Sequence, residues 1–189
     1  MRWRNRVFLV MSMVAIALPG SGAVAQGGTA NASAPLANAR IDVFKARREL
    51  RISAAGVLVR TYRIALGTDP VSPKQRVGDR ATPEGTYFIS HKNPRSQYFL
   101  SLGISYPGID DAARGLREGI ISKAQHDAIV AAIQRRVAPP GNTALGGDIF
   151  VHGRGSSTDW TWGCIALDDA DMQQVYDSID VGTPITIHP

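Results

Sequence analysis

Between Ile41 and Tyr106 the chain is a series of short β-type runs separated by turn formers, and this punctuation restricts the fold more than any other feature. Ile41-Asp42-Val43-Phe44 alternates apolar and polar residues, as does Glu49-Leu50-Arg51-Ile52-Ser53. The pair predicts a hairpin turned at Ala46 to Arg48. Gly56 breaks the chain, and Val57 to Leu66 is a β-branched run stopped by Gly67. Asp69 to Asp79 is turn-rich and predicts a loop, and Thr82-Pro83-Glu84-Gly85 predicts a tight turn. Thr86 to Ser90 and Leu100 to Tyr106 read as further strands, the second closed by Pro107-Gly108.

Helical periodicity enters only in the second half. Ile109 to Arg117 predicts a short helix. Ser122 to Val137 carries an apolar stripe at helical spacing, Ala128, Ile129, Ala132, Ile133 and Val137, with Ser122 placed to cap it. Pro139-Pro140-Gly141 ends that pattern. Asp148 to Val151 reads as a short buried strand, and Thr183 to His188 as a last one. Asp168 and Asp169 open a helix running to about Ser178, acidic groups suiting the positive end of its dipole. The sum is a mainly β domain with one or two packed helices.

The N-terminus concerns the compartment. Arg2, Arg4 and Arg6 precede the apolar run Val7 to Leu18; Pro19 to Gly22 then breaks it and Ala23-Val24-Ala25 follows. This is the pattern of a secretory signal peptide over residues 1–25. The apolar run is short of the roughly 20 residues that span a bilayer, so no membrane span is expected after leader cleavage. Residues 26–39, rich in Gly, Ala, Ser and Pro, read as a flexible linker, and residues 40–189 as one domain. The formal charge of +5 draws on the three leader arginines. Without them the balance is nearly neutral, and no run of like charge supports nucleic-acid binding.

One cysteine, Cys164, cannot form an internal disulfide. In an oxidising compartment two explanations stay open: a small buried hydrophobe, or a thiol kept for its chemistry. The second gains from the segment DIFVHGRGSSTDWTWGCIALDD, in which His152 stands twelve residues before Cys164. An imidazole near a thiol can take its proton, the sulfur can attack an amide carbonyl, and the imidazolium can protonate the leaving amine. Gly163, directly before the cysteine, allows backbone N–H groups to face a developing oxyanion. A zinc site is disfavoured, since no second Cys, His-x-His pair or His-Glu motif lies nearby.

His152-Gly153, a Ser/Gly-rich loop, then Gly163-Cys164-Ile165 resembles the signature of the L,D-transpeptidase catalytic-domain family (YkuD-like). Ala65-Leu66-Gly67, the Gly78 to Gly85 turn, Lys92-Asn93-Pro94, Ile104-Ser105-Tyr106-Pro107 and Gly147-Asp148 are similar to that family in order and wording. The resemblance covers roughly residues 40 to 188, with about 115–145 as a variable insertion. It implies a β-sandwich-like domain and, as substrate, the peptide stem of peptidoglycan. It implies Cys164 as nucleophile, His152 as general base, the Gly153 carbonyl as its orienting partner, and the N–H groups of Gly163 and Cys164 as oxyanion donors. The product would be a 3-3 crosslink in the periplasm or at the cell surface, or a wall-linked lipoprotein, as in some relatives. No metal or cofactor is implied. Trp162 stands where the family has histidine, and Ala166 where it often has Arg or Asn. Trp162 and Tyr106 are therefore expected to wall the substrate, and Arg154 to supply the charge for its carboxylate. A hydrolase of the same linkages and a non-catalytic wall-binding module remain as alternatives.

Overall fold

A computed structural model describes residues 35–189 of the chain. The predicted leader, 1–25, and most of the predicted linker lie outside the described residues. The linker's last part does not: the Leu36 N–H donates to Ser178 O at 2.9 Å and its side chain packs on the core.

Eight strands and three helices follow one another along the described residues. β1 (Ala39–Phe44), β2 (Glu49–Ala54) and β3 (Val57–Arg63) form two successive hairpins. β4 (Gly85–Ser96) and β5 (Phe99–Ile104) form a third, longer one. Next come α1 (Ile109–Arg117), α2 (Lys123–Gln134), β6 (Phe150–His152), β7 (Ile165–Ala166), α3 (Asp169–Ser178) and β8 (Pro184–His188). They make one sheet in the order β3-β2-β1-β8-β4-β5-β6-β7. β8 runs parallel to β1 and antiparallel to β4, so the last strand joins the N-terminal hairpins to the rest.

The sheet curls on itself. The run predicted from Val57 to Leu66 leaves β3 at Arg63, and its end crosses to the far edge. There Ala65 and Ala166 exchange both backbone hydrogen bonds at 2.8 Å. Inside the curl, alternate residues make the core: Ile41, Val43, Leu50, Ile52, Leu102, Ile104, Val151, Ile165, Ile185 and Ile187. α3 closes it with Met172, Val175 and Ile179. Each such side chain contributes about 1.5–3 kcal/mol by leaving water.

Among the described residues there are three helices, one on each segment that the sequence marked as helical. α1 and α2 build a second small core from Ala112, Ile121, Ile129 and Leu145, spanning the predicted insertion. Ser122 caps α2, its Oγ accepting from Gln125 N while Gln125 Oε1 accepts from Ser122 N, so an amide replaces the usual acid in the capping box. α2 stops at Gln134, and this leaves Val137, expected in its stripe, 47% exposed. β4 runs six residues past its predicted end because its outer half is polar and projects as a hairpin with β5.

The long connection between β3 and β4 is tied down by two buried cations. Lys45 Nζ donates to Val71 O, Ser72 O and Thr82 O and pairs with Glu84 at 2.7 Å. Lys74 Nζ pairs with Asp79 at 2.8 Å, and that carboxylate also accepts from the N–H groups of Gln75, Arg76 and Ala81. Burial works against ionisation of Asp79, but these four donors outweigh it and hold the carboxyl below its ordinary range. His188 stacks on Phe44 and bonds Asp42 at 2.9 Å.

Candidate active site

The pleat of β5, β6 and β7 decides which residues can meet. Leu102, Ile104, Val151 and Ile165 point into the core. Their neighbours Ser101, Gly103, Phe150, His152, Cys164 and Ala166 therefore share the opposite face. Strand register sets them in two rows. Asn93, Ser101, His152 and Ala166 are cross-strand partners in one. His91, Gly103 and Phe150 are partners in the other, and continuing the β6–β7 register by one residue adds Cys164 beside Phe150. Cys164 and His152 are thus diagonal neighbours on one face.

His152 is only 2% exposed. Its Nδ1 lies 2.7 Å from Gly153 O. A carbonyl only accepts, so Nδ1 carries the proton and the neutral ring presents a bare Nε2. Gly153 is held in turn by Tyr98 O, which accepts its N–H at 3.0 Å. The Tyr98 ring stacks on the imidazole with centroids 4.6 Å apart, and Trp160 meets its edge at 5.5 Å. Burial pushes the His152 pKa below its ordinary value, against the opposing pull of the Gly153 carbonyl. A cavity of about 340 Å³ opens beside the ring, lined by Asn93, Ser96, Gln97, Tyr98, Ser101, Phe150 and His152.

Cys164 is half-buried. Its thiol is not bonded to His152; it donates to Asp148 O at 3.6 Å. Burial pushes its pKa up to about 11, although the Phe150 amide and the Lys74 ammonium favour the thiolate. That shift favours the thiol form of the resting sulfur.

The two expected oxyanion donors differ. Gly163 N–H is occupied by Thr161 Oγ1 at 3.2 Å, and that hydroxyl donates to Cys164 O at 2.7 Å. The Cys164 N–H enters none of the described turn, loop or side-chain hydrogen bonds. The Thr161 knot and the φ of +119° at Gly163 together set the cysteine's approach. A Cβ on Gly163 would lie 2.6 Å from Ala81 O, so the residue has to be glycine.

The expected substrate residues fall in different places. Tyr106 is 2% exposed, and its hydroxyl donates to Leu145 O at 3.0 Å. It packs largely in the core with its one polar atom bonded inside, and it contributes to the lining of a small opening shared with His91, Gly103, Asp148 and Phe150. Trp162 is 69% exposed, with the Arg80 guanidinium 4.8 Å from its ring centre. Arg154 is exposed at the end of β6 with φ +81°, its N–H bonded to Asp169 Oδ1. Asp159 anchors the loop by accepting from Leu66 N and pairing with Arg48. Tyr98, Trp160 and Thr161 act at the site without having been singled out for these contacts. Only Trp160 and Thr161 lay within the segment that the sequence marked.

Comparison with known proteins gives the family and the fold. Residues 38–187 match the family described as the L,D-transpeptidase catalytic domain (YkuD). YafK, a candidate L,D-transpeptidase of Escherichia coli (strain K12), is 32% identical over 81 residues, 40% of this chain and 33% of that protein. The chain therefore matches about a third of that relative's length. Two solved structures share the fold. The helical cell shape determining protein Pgp2 from Campylobacter jejuni is 22% identical, with a TM-score of 0.53 over 79% of this chain and 46% of that one. Bd1075 from Bdellovibrio bacteriovorus is 20% identical, with a TM-score of 0.52 over 80% of this chain and 48% of that one.

Proposed function

The chain belongs to the L,D-transpeptidase catalytic-domain family, and from that premise we propose that it is a cysteine acyltransferase acting on peptidoglycan stem peptides outside the cytoplasm. The observation that carries the reading is the shared sheet face. A half-buried thiol sits diagonally across from an imidazole whose proton is committed to Gly153 O.

The steps follow from those two groups. Cys164 turns from Asp148 O and gives its proton to Nε2 of His152. The sulfur attacks the carbonyl carbon of the stem's scissile amide, and the Cys164 N–H takes the oxyanion. As the tetrahedral species collapses, the C–N bond breaks and the imidazolium proton goes to the leaving amine. A thioester remains. A second amine then attacks it, its proton passes through Nε2 to the departing sulfur, and the new amide leaves. The Gly153 carbonyl keeps the tautomer fixed through both halves. Gly163 serves this reaction by its conformation, its own N–H being held by Thr161. Trp162 and Arg154 remain at the rim as candidate substrate contacts. The acceptor is a second stem or, as some family members use, a wall-linked protein.

The test is to incubate the purified protein with muropeptides and follow the products by mass spectrometry. Loss of the terminal D-amino acid with dimer formation is the expected result, absent in Cys164→Ala. Loss without dimers would assign a hydrolase instead. No turnover by either protein, with retention on peptidoglycan, would make the domain a binding module.

A further inference from the structure

His91 lies outside the segment that carries the chemistry, and plain alternation along β4 would place it with Ile89 in the core. It is not there. The register of β4 on β5 shifts between Ile89 and His91, pairing Ile89 with Ile104 and His91 with Gly103. This irregularity at Ser90 turns His91 onto the face that holds Cys164 and His152. Bulges recur next to active sites because they re-aim a side chain in this way.

The re-aimed ring has a prepared seat. It lies over Gly103, where a Cβ would displace the imidazole. It meets the edge of Phe150 at 5.7 Å and 88°. Ser90 Oγ donates its only proton to Gly103 O at 3.1 Å, and the same oxygen is 3.0 Å from His91 Nδ1. Nδ1 must then be the N–H donor in that contact. That tautomer leaves Nε2 as the ring's open position, on an exposed residue. Gly103 stands two strands from Cys164 along the row, about 9–10 Å at ordinary strand spacing. That is too far for proton transfer at the reacting carbonyl. It matches about three residues of an extended peptide.

We propose that His91 is a specificity-determining residue whose Nε2 accepts a hydrogen bond from an N–H group of the bound stem peptide, about three residues from the scissile bond. The proposal rests on the peptidoglycan-stem reading given above and adds a contact to it. The juxtaposition that carries it is a bulge-directed imidazole, seated on Gly103, in the same row as the thiol.

The experiment is calorimetric titration of a tetrapeptide stem into Cys164→Ala protein, alone and combined with His91→Phe or His91→Ala. Phenylalanine keeps a flat ring over Gly103 and against Phe150 but has no Nε2. Both His91 variants are expected to weaken Kd at least 5-fold. In protein that retains Cys164, their thermal midpoints and rates of iodoacetamide alkylation should stay at the parent values. If His91→Phe binds as tightly as the parent, the ring is only a wall and the proposal is wrong. If the parent itself binds no stem, the substrate reading fails first and this contact falls with it. The two failures are thereby told apart.

Discussion

At the scale of single residues, the two reactive groups are both biased toward their neutral forms. Burial lowers the His152 pKa beneath the ordinary 6.5 and raises the Cys164 thiol to about 11. Those directions favour the proposed general-base arrangement over a resting thiolate–imidazolium pair. A base must be unprotonated and the thiol must still carry its proton, so activity has an acid limb below 6.5 and an alkaline limb set by the sulfur. The kcat/KM profile is expected to be flat from roughly pH 7 to 9. Iodoacetamide alkylation of Cys164 should still be accelerating at about pH 9, past the ordinary thiol pKa near 8.5. An alkylation midpoint below neutrality would show a preformed thiolate and refute the assignment. The sequence exposed this pair through a lone thiol in a chain with an export pattern. It concealed what tunes them: Tyr98, which covers the imidazole, sits at a hairpin tip far away in sequence.

At the scale of elements, the site depends on the loop between β3 and β4. Its Arg80 and Ala81 carbonyls press on Gly67 and Gly163, where side chains would not fit. Lys45, at the end of β1, holds that loop through three carbonyls and Glu84. Lys45→Met removes the cation and leaves Glu84 and the carbonyls unmatched. A loss of about 2–4 kcal/mol is expected in denaturant unfolding. Amide exchange should speed up over residues 69–84 while the β1–β2 pairing stays protected; uniform loosening of the sheet would contradict the loop-anchor role. Elements with a strong local pattern were legible: the first N-terminal hairpin and the strand after it, α1, the capped start of α2, and the acidic start of α3. β7 was not, since two residues carry no period and owe their pairing to β6 and Ala65. Nor was the shift at Ser90, because a bulge is a relation between two strands and has no spacing of its own in one of them.

At the scale of the whole molecule, the order of the sheet makes β8 the keystone. The three N-terminal strands touch the others through β8, which pairs with β1 on one side and β4 on the other. Its Ile185 and Ile187 are essentially buried between the two halves. A chain cut after Gly182 loses those side chains and also uncovers an edge on β1 and another on β4. The Ala65–Ala166 bridge, which closes the curl from the far side, is too short to hold the halves alone. Truncation at Gly182 is therefore expected to abolish the cooperative thermal transition and thiol-dependent turnover together, although Cys164 and His152 remain in the chain. Ile187→Ala is the graded counterpart: it should keep a single transition with a loss of about 2–5 kcal/mol, and keep turnover at temperatures well below the midpoint. A truncated chain that still melted cooperatively would mean that β4 to β7 with α3 fold without the N-terminal hairpins. The catalytic face would then be a product of that half and not of the closed sheet.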